Sequence, residues 1–223
     1  MAAHGRRMSI AMTSSAKCLI ENNKGFRQRA KRKEQFPNED SPERFACMVC
    51  CDCRRRFSRK THRGFQDITI LSKEGIKIGD ATIRQVPALH GTYIPCGNAM
   101  GVLFEAKDEK TFYLSGDTIW YEEVAATIKK YQPEVIALNA CAAETLENGR
   151  LIMNDEDVWN VSLAAPHARL YITHMDNVAH AALTRYTMRG RLASRGIVNY
   201  DMPADGESII YLPHSPLHAE GSH

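Results

Sequence analysis

The chain has 223 residues, 43% of them hydrophobic, which is enough for one sizeable domain with a real core. No apolar run reaches membrane-spanning length, and residues 8–12 are too short and polar-flanked for a secretory signal, so the expectation is a soluble, cytoplasmic protein with no membrane partner. The net charge of +3 hides a division: residues 1–63 carry 16 Lys and Arg against 6 Asp and Glu, and the remainder carries 13 against 20, so a basic arm precedes an acidic globular part.

The arm, residues 1–63, has poor periodicity. Basic clusters lie at 24–33 and 54–60, with a loop-like stretch at 36–42 between them, and the segment reads as disordered or weakly helical. It also holds five of the seven cysteines, Cys18, Cys47, Cys50, Cys51 and Cys53; Cys96 and Cys141 lie in the globular part. An odd count argues for reduced thiols rather than a disulfide framework. The spacing of Cys47, Cys50 and Cys53 permits a zinc knuckle, but only Cys18 and His62 are on hand to complete it, and neither has a workable spacing. The arginines permit nucleic-acid binding, yet Phe45 and Phe57 are too few aromatics for a stacking platform, so a solvated basic tail is the simpler reading.

The texture changes near residue 64. Residues 67–71 are strand-like, 76–78 form a short strand between turns, and 81–89 form a longer one ending at His90. Residues 100–105 and 111–114 pair as a hairpin across 107–110. Beyond Asp117, the residues Glu122, Val124, Ala125, Ile128 and Tyr131 recur at helical spacing until Pro133 closes the helix. Residues 134–138 are an apolar strand covered on both faces. A helix opens at Asp155 with Val158, Trp159, Ser162 and Leu163 at three- and four-residue spacing. A strand follows at 168–173, then a helix over about 178–192, and strands at 197–200 and 208–212. Hairpins followed by strand-helix alternation predict an α/β layered domain with a mixed sheet over 64–213, and a loose tail over 214–223.

Three strand-like runs each deliver a metal-type ligand at their exit: 81–89 runs into His90, 111–114 into Ser115-Gly116-Asp117, and 168–173 into His174. An acid after a glycine is by itself a turn residue or a helix cap, so the coincidence of the three carries the argument. Neutral imidazoles and a carboxylate are the donors a zinc-type ion takes, and strand ends are where open α/β sheets keep their chemistry.

These residues sit in ordered motifs. His90-Gly91, the box Leu114-Ser115-Gly116-Asp117-Thr118, Thr173-His174-Met175-Asp176 with His180 and Thr184-Arg185 beyond it, and the closing run at 201–211 resemble the later motifs of the metallo-β-lactamase superfamily. More narrowly, they resemble its metal-dependent hydrolases related to ascorbate-6-phosphate lactonase. The resemblance covers about 64–212 and implies an α/β fold, the αββα metallo-β-lactamase sandwich. It implies that His90 binds a first metal, that Asp117 bridges two metals and serves catalysis, and that His174 binds the second, the cofactor being one or two Zn2+ or Mn2+ ions. His180 and Arg185 would stand nearby, behind the ligands or against the substrate; a locally hydrogen-bonded histidine at a helix start is the alternative for His180. Asp176 and Asn177 are candidate caps of that helix.

The superfamily's His-x-His-x-Asp-His signature is absent. Only His4 and His62 precede His90, and neither has a partner at the required spacing. The sandwich is therefore expected to be incomplete at its N-terminal half, with the basic arm standing as non-native sequence where the signature belongs. The resemblance implies a hydrolase that attacks a small-molecule ester, lactone or phosphoester through metal-bound hydroxide, impaired by the missing motif. The alternatives are a catalytically inactive remnant or interaction protein, or nucleic-acid binding through the arm, which is disfavoured. Strand faces left bare by a missing half would favour a homo-oligomer.

Overall fold

A computed structural model describes residues 71–176 and 180–212, together with the backbone of three upstream strands, β1 (Met8–Ala11), β2 (Cys18–Asn22) and β3 (Phe45–Cys47). These three pair antiparallel in a sheet of their own, so strand stands where the sequence reading expects no packed element. The boundary near residue 63, the basic clusters, Cys50, Cys51, Cys53 and His62, and the tail beyond residue 212 lie outside the described residues. So does the expected strand at 67–71, except Leu71, which is in no strand.

The main sheet has seven strands. In chain order they are β4 (Ile76–Ile78), β5 (Ala81–Ala88), β6 (Ala99–Ala106), β7 (Phe112–Leu114), β8 (Val135–Asn139), β11 (Arg169–Thr173) and β12 (Tyr200–Asp201). A separate two-stranded ribbon, β9 (Glu144–Thr145) with β10 (Gly149–Arg150), leaves the sheet after β8. The spatial order is β12-β11-β8-β7-β6-β5-β4. Strands β4 to β7 pair antiparallel, as short hairpin connections dictate, and β7, β8, β11 and β12 pair parallel through helical crossovers. The mixed α/β sheet expected from the sequence is thus what forms.

Three helices supply the crossovers: α1 (Glu122–Tyr131), α2 (Asp155–Ala164) and α3 (Arg185–Ser194). Their buried faces, Val124 and Ile128, Val158 and Val161, and Met188 and Leu192, pack with Ile136, Leu138, Leu170 and Ile172 of the sheet in one core. Alternate sheet residues Val102, Phe104, Phe112, Val135, Ala137 and Tyr171 form a second buried cluster, which the pleat places on the opposite face. Strand β8 is buried throughout, in accord with its unbroken apolar run. Among the described residues no helix is long and apolar enough to cross a membrane.

Several elements depart from expectation. The third helix starts at Arg185 rather than 178, because the Thr184 side chain caps it by accepting from the Thr187 N–H at 3.2 Å. In α2 it is Val161 that turns inward, whereas Leu163 is exposed: the buried arc follows Asp155, Val158 and Val161. The final strands shrink to the two residues of β12, and 208–212 is not strand; Ile210 and Leu212 point to solvent. The β9–β10 ribbon is unforeseen, although Asn148-Gly149, with Gly149 at φ 68°, is a known hairpin-turn signal.

Candidate metal centre

The topology gathers four strand exits at one rim. Strands β7, β8 and β11 are mutually parallel, and β5 runs with them because two antiparallel steps separate it from β7. His90, Asp117, Asn139 and His174 accordingly lie at the same end of the sheet, with Asn139 opposite Thr173 in the ladder.

Each loop is tied to the next. The Leu89 N–H donates to Thr118 Oγ1 at 2.9 Å and the Ile119 N–H donates to the Leu89 carbonyl at 2.9 Å, which sets His90 beside the Asp117 turn. The Ser115 N–H donates to Ala137 O at 3.0 Å and the Ala140 N–H to Thr173 O at 3.2 Å, extending the ladder toward Asp117 and His174. Beyond His90, Gly91 has φ 113°, a left-handed value where a Cβ would run into the Ile94 carbonyl, so glycine is required. The Cys96 N–H donates back to His90 O at 2.6 Å and closes the loop, and Thr92 N and Tyr93 N both donate to Asn148 O at 3.0 Å, fastening it to the β9–β10 ribbon.

His90, Asp117 and His174 are each half-buried, while His180 is exposed. Partial burial holds the His90 imidazole below the usual histidine range; the nearby imidazoles of His174 and His180 act in the same direction, against the pull of the Asp117 carboxylate. His90 is therefore neutral at pH 7, the form that ligates a metal. That one imidazole feels the other three groups brings the sequence-derived set into one electrostatic neighbourhood. Among the described residues, however, no group of three or more His, Cys, Asp or Glu side chains is arranged to hold a metal ion.

His174 and Asp176 have φ of 60° and 36°, uncommon for residues with side chains. Arg185 holds this turn: its backbone N–H donates to Asp176 Oδ1 at 2.9 Å, its Nη1 to Asp176 Oδ2 at 2.6 Å, and its Nη2 pairs with Asp205. The guanidinium is thus committed to two carboxylates in a structural clamp. Asp176 serves the helix start without being its cap, and Asn177 lies outside the described residues. His180 stands before the helix, not within it.

Two residues at the rim escaped the sequence reading. Asn139, at the end of β8, donates from Nδ2 to Asp117 Oδ1 at 2.6 Å. A polar residue ending an apolar strand is the same signal that exposed Asp117. Cys141 follows two residues later, buried, its thiol pushed up by burial and kept protonated. Its carbonyl accepts from Ala182 N and Leu183 N, drawing the chain beyond His180 to the rim.

No family model matches the chain. The UPF0173 protein YddR of Bacillus subtilis (strain 168) is 33% identical over 153 residues, covering 66% of this chain and 60% of that protein. The crystal structure of an isothiocyanate hydrolase from Delia radicum gut bacteria superposes with a TM-score of 0.66 at 28% identity, over 71% of this chain and 64% of that one. That of a possible metal-dependent hydrolase from Veillonella parvula DSM 2008 superposes with a TM-score of 0.66 at 32% identity, over 70% and 64%. The metallo-β-lactamase fold protein YhfI from Bacillus subtilis, with a TM-score of 0.50 at 12% identity over 65% and 54%, is alike in fold alone. The chain spans a little under two thirds of the length of its nearer relatives. The fold is the metallo-β-lactamase fold, and over about two thirds of its length the chain is similar to proteins that include one described as a possible metal-dependent hydrolase.

Proposed function

We propose that this chain is a metal-dependent hydrolase of small molecules, acting on an ester or lactone, with a phosphoester as the less favoured substrate. The observation that carries the reading is the gathering of His90, Asp117 and His174 at one sheet rim, with His90 held neutral. The donor types, imidazoles and a carboxylate, are those a divalent ion takes, although among the described residues they are not arranged as a group of three about one point. Zn2+ or Mn2+ would be held by His90, Asp117 and His174, and when bound would polarise the scissile group and acidify water.

The chain's own residues do the rest. Asp117 is oriented through Asn139, and the exposed His180 would be the group that meets a substrate edge. The rim beyond His90 presents exposed apolar groups, Tyr93 and Ile94 at its tip and Leu146 on the neighbouring ribbon, with Glu144 and Glu147 exposed on either side of Leu146. Arg150 and Arg185, on flanking elements, are paired with Asp157 and with Asp176 and Asp205. An apolar lip whose flanking arginines are already paired with carboxylates favours a carbon electrophile over a phosphoryl group. The relative named an isothiocyanate hydrolase, an enzyme of a carbon electrophile, supports the same preference.

The test is to strip the purified chain with a chelator, restore Zn2+ or Mn2+, and assay aryl esters, lactones and aryl phosphodiesters. Metal-restored hydrolysis of the first two is expected. A second reading, a non-catalytic relative serving interactions or self-association, is favoured by the lack of an arranged ligand group among the described residues. Elemental analysis showing no metal retained, with no hydrolysis of any substrate, would establish it.

A further inference from the structure

We infer that the β9–β10 ribbon and the loop after His90 form one hinged strap that closes an apolar tip over the rim, and that the Arg150–Asp157 pair is the catch holding it open. The motion needs no metal; that a substrate lies beneath the strap rests on the function proposed above.

The ribbon pairs with no strand of the main sheet but is bonded repeatedly to the loop. The Thr92 and Tyr93 N–H groups both donate to the Asn148 carbonyl at 3.0 Å, and the Arg150 N–H donates to Thr92 Oγ1 at 2.9 Å. A Cβ at Gly149 would strike Thr92 Oγ1 and the Tyr93 ring, so the two pieces interlock and travel together. Their roots lie side by side: the Gly91 N–H donates to the Leu151 carbonyl at 3.3 Å and the Leu151 N–H to the Ala143 carbonyl at 2.6 Å. Left-handed backbone marks both roots, at Gly91 with φ 113° and at Ala142 with φ 53°. A residue with a Cβ holds that conformation only where its surroundings impose it, and residues at element ends are where hinges absorb their change of dihedral angle.

At the free end Tyr93, Ile94 and Leu146 stand in water, Leu146 fully exposed. Closure would remove that apolar surface from water, so something must hold the tip out. Arg150 does: its Nη1 pairs with Asp157 Oδ2, and its Nη2 reaches Asp157 Oδ1 at 3.5 Å. The Asp157 carboxylate belongs to the body of the domain, for it lies on α2, is buried, and also accepts from the Trp120 N–H at 3.3 Å. Drawing Arg150 away strands a buried charge, which keeps the strap open until contacts beneath the tip offset that loss.

The experiment uses the full chain with no added metal or ligand. NMR follows the hydrogen exchange of backbone amides and the exposure of the Ile94 and Leu146 methyls to a soluble gadolinium chelate. Asp157→Asn keeps the shape and an acceptor for Trp120 but discards the charge. The root amides of Gly91 and Ala142 are then expected to exchange about tenfold faster, and both methyls to become shielded from the chelate. Because the strap swings as one piece, the Thr92 and Tyr93 amides should keep their native exchange, as should Ile136 and Leu138 in β8. Arg150→Met removes the other half of the catch and must act alike, with the double variant no faster than the faster single one. Unchanged root amides overturn the inference. So does release of Thr92 and Tyr93, which means melting rather than swinging, faster exchange in β8, which means general loosening, or methyls as exposed as in the native chain. A strap that closes in a chain hydrolysing none of the substrates above retires the proposed function and leaves the hinge standing.

Discussion

Leu89 and Thr118, 29 residues apart, are clasped: the Leu89 N–H donates to the Thr118 hydroxyl at 2.9 Å, and Ile119, next in the chain, returns a bond to the Leu89 carbonyl at 2.9 Å. Thr118 is fully buried, and this contact brings the exit of β5 against the turn that carries Asp117. Thr118→Val keeps the shape and strands the Leu89 N–H, so chemical denaturation should show a loss of about 1–3 kcal/mol. An unchanged denaturation midpoint would mean the His90 loop is held by other means.

Arg185 is asked to hold a turn in which His174 and Asp176 both have left-handed backbones. Arg185→Met removes one charge from facing carboxylates that are themselves partly exposed, so the cost should be about 2 kcal/mol, below that of a fully buried pair. Hydrogen exchange should quicken around His174 at the same time. Protection equal to that of the native chain would disconnect Arg185 from the turn.

Tyr113 is fully buried, its hydroxyl has no hydrogen-bond partner among the described residues, and burial pushes that phenol well above its ordinary range. Tyr113→Phe discards the orphan and keeps the ring, so stability should rise by about 1 kcal/mol. Measured destabilisation would reveal a partner for the hydroxyl, such as an ordered water.

The edge of the sheet should respond to acid. Arg169 grips Asp201 through Nε and Nη2, at 2.7 and 2.6 Å, and with help from the Tyr211 hydroxyl at 3.0 Å this holds the Asp201 carboxyl below its usual range against the opposing effect of burial. A depressed folded pKa stabilises above the unfolded value, about 3.9, and the gain is lost as pH falls through the lower folded value. Because Arg169 is 43% exposed, the contribution is about 1 kcal/mol or less. Unfolding measured at a series of pH values should show Asp201→Asn less stable than the native chain at neutral pH, the gap closing below about pH 4. A gap independent of pH would assign the loss to packing.

Periodicity made most of the elements legible. The apolar run before Asn139, the helical recurrence of Val124 and Ile128, and the hairpin of β6 and β7 follow from local patterns of burial, and so do the ligand-type residues at three strand exits. The third helix starts later than its periodicity predicts, because the capping role of Thr184 shows only in its bond to Thr187. The strand expected at 208–212 failed for want of a neighbour, since an apolar run becomes a strand only where a ladder partner is in place.

The residue types at the strand exits and the α/β class were determined by the sequence itself, because apolar spacing dictates which faces must leave water. Tertiary structure alone decided that the exits of β5, β7, β8 and β11 share one rim, that Asn139 reaches Asp117, and that Arg185 is spent on Asp176 and Asp205. Those relationships span 9 to 22 residues in the hydrogen bonds and depend on strand order, which no local pattern of side chains encodes.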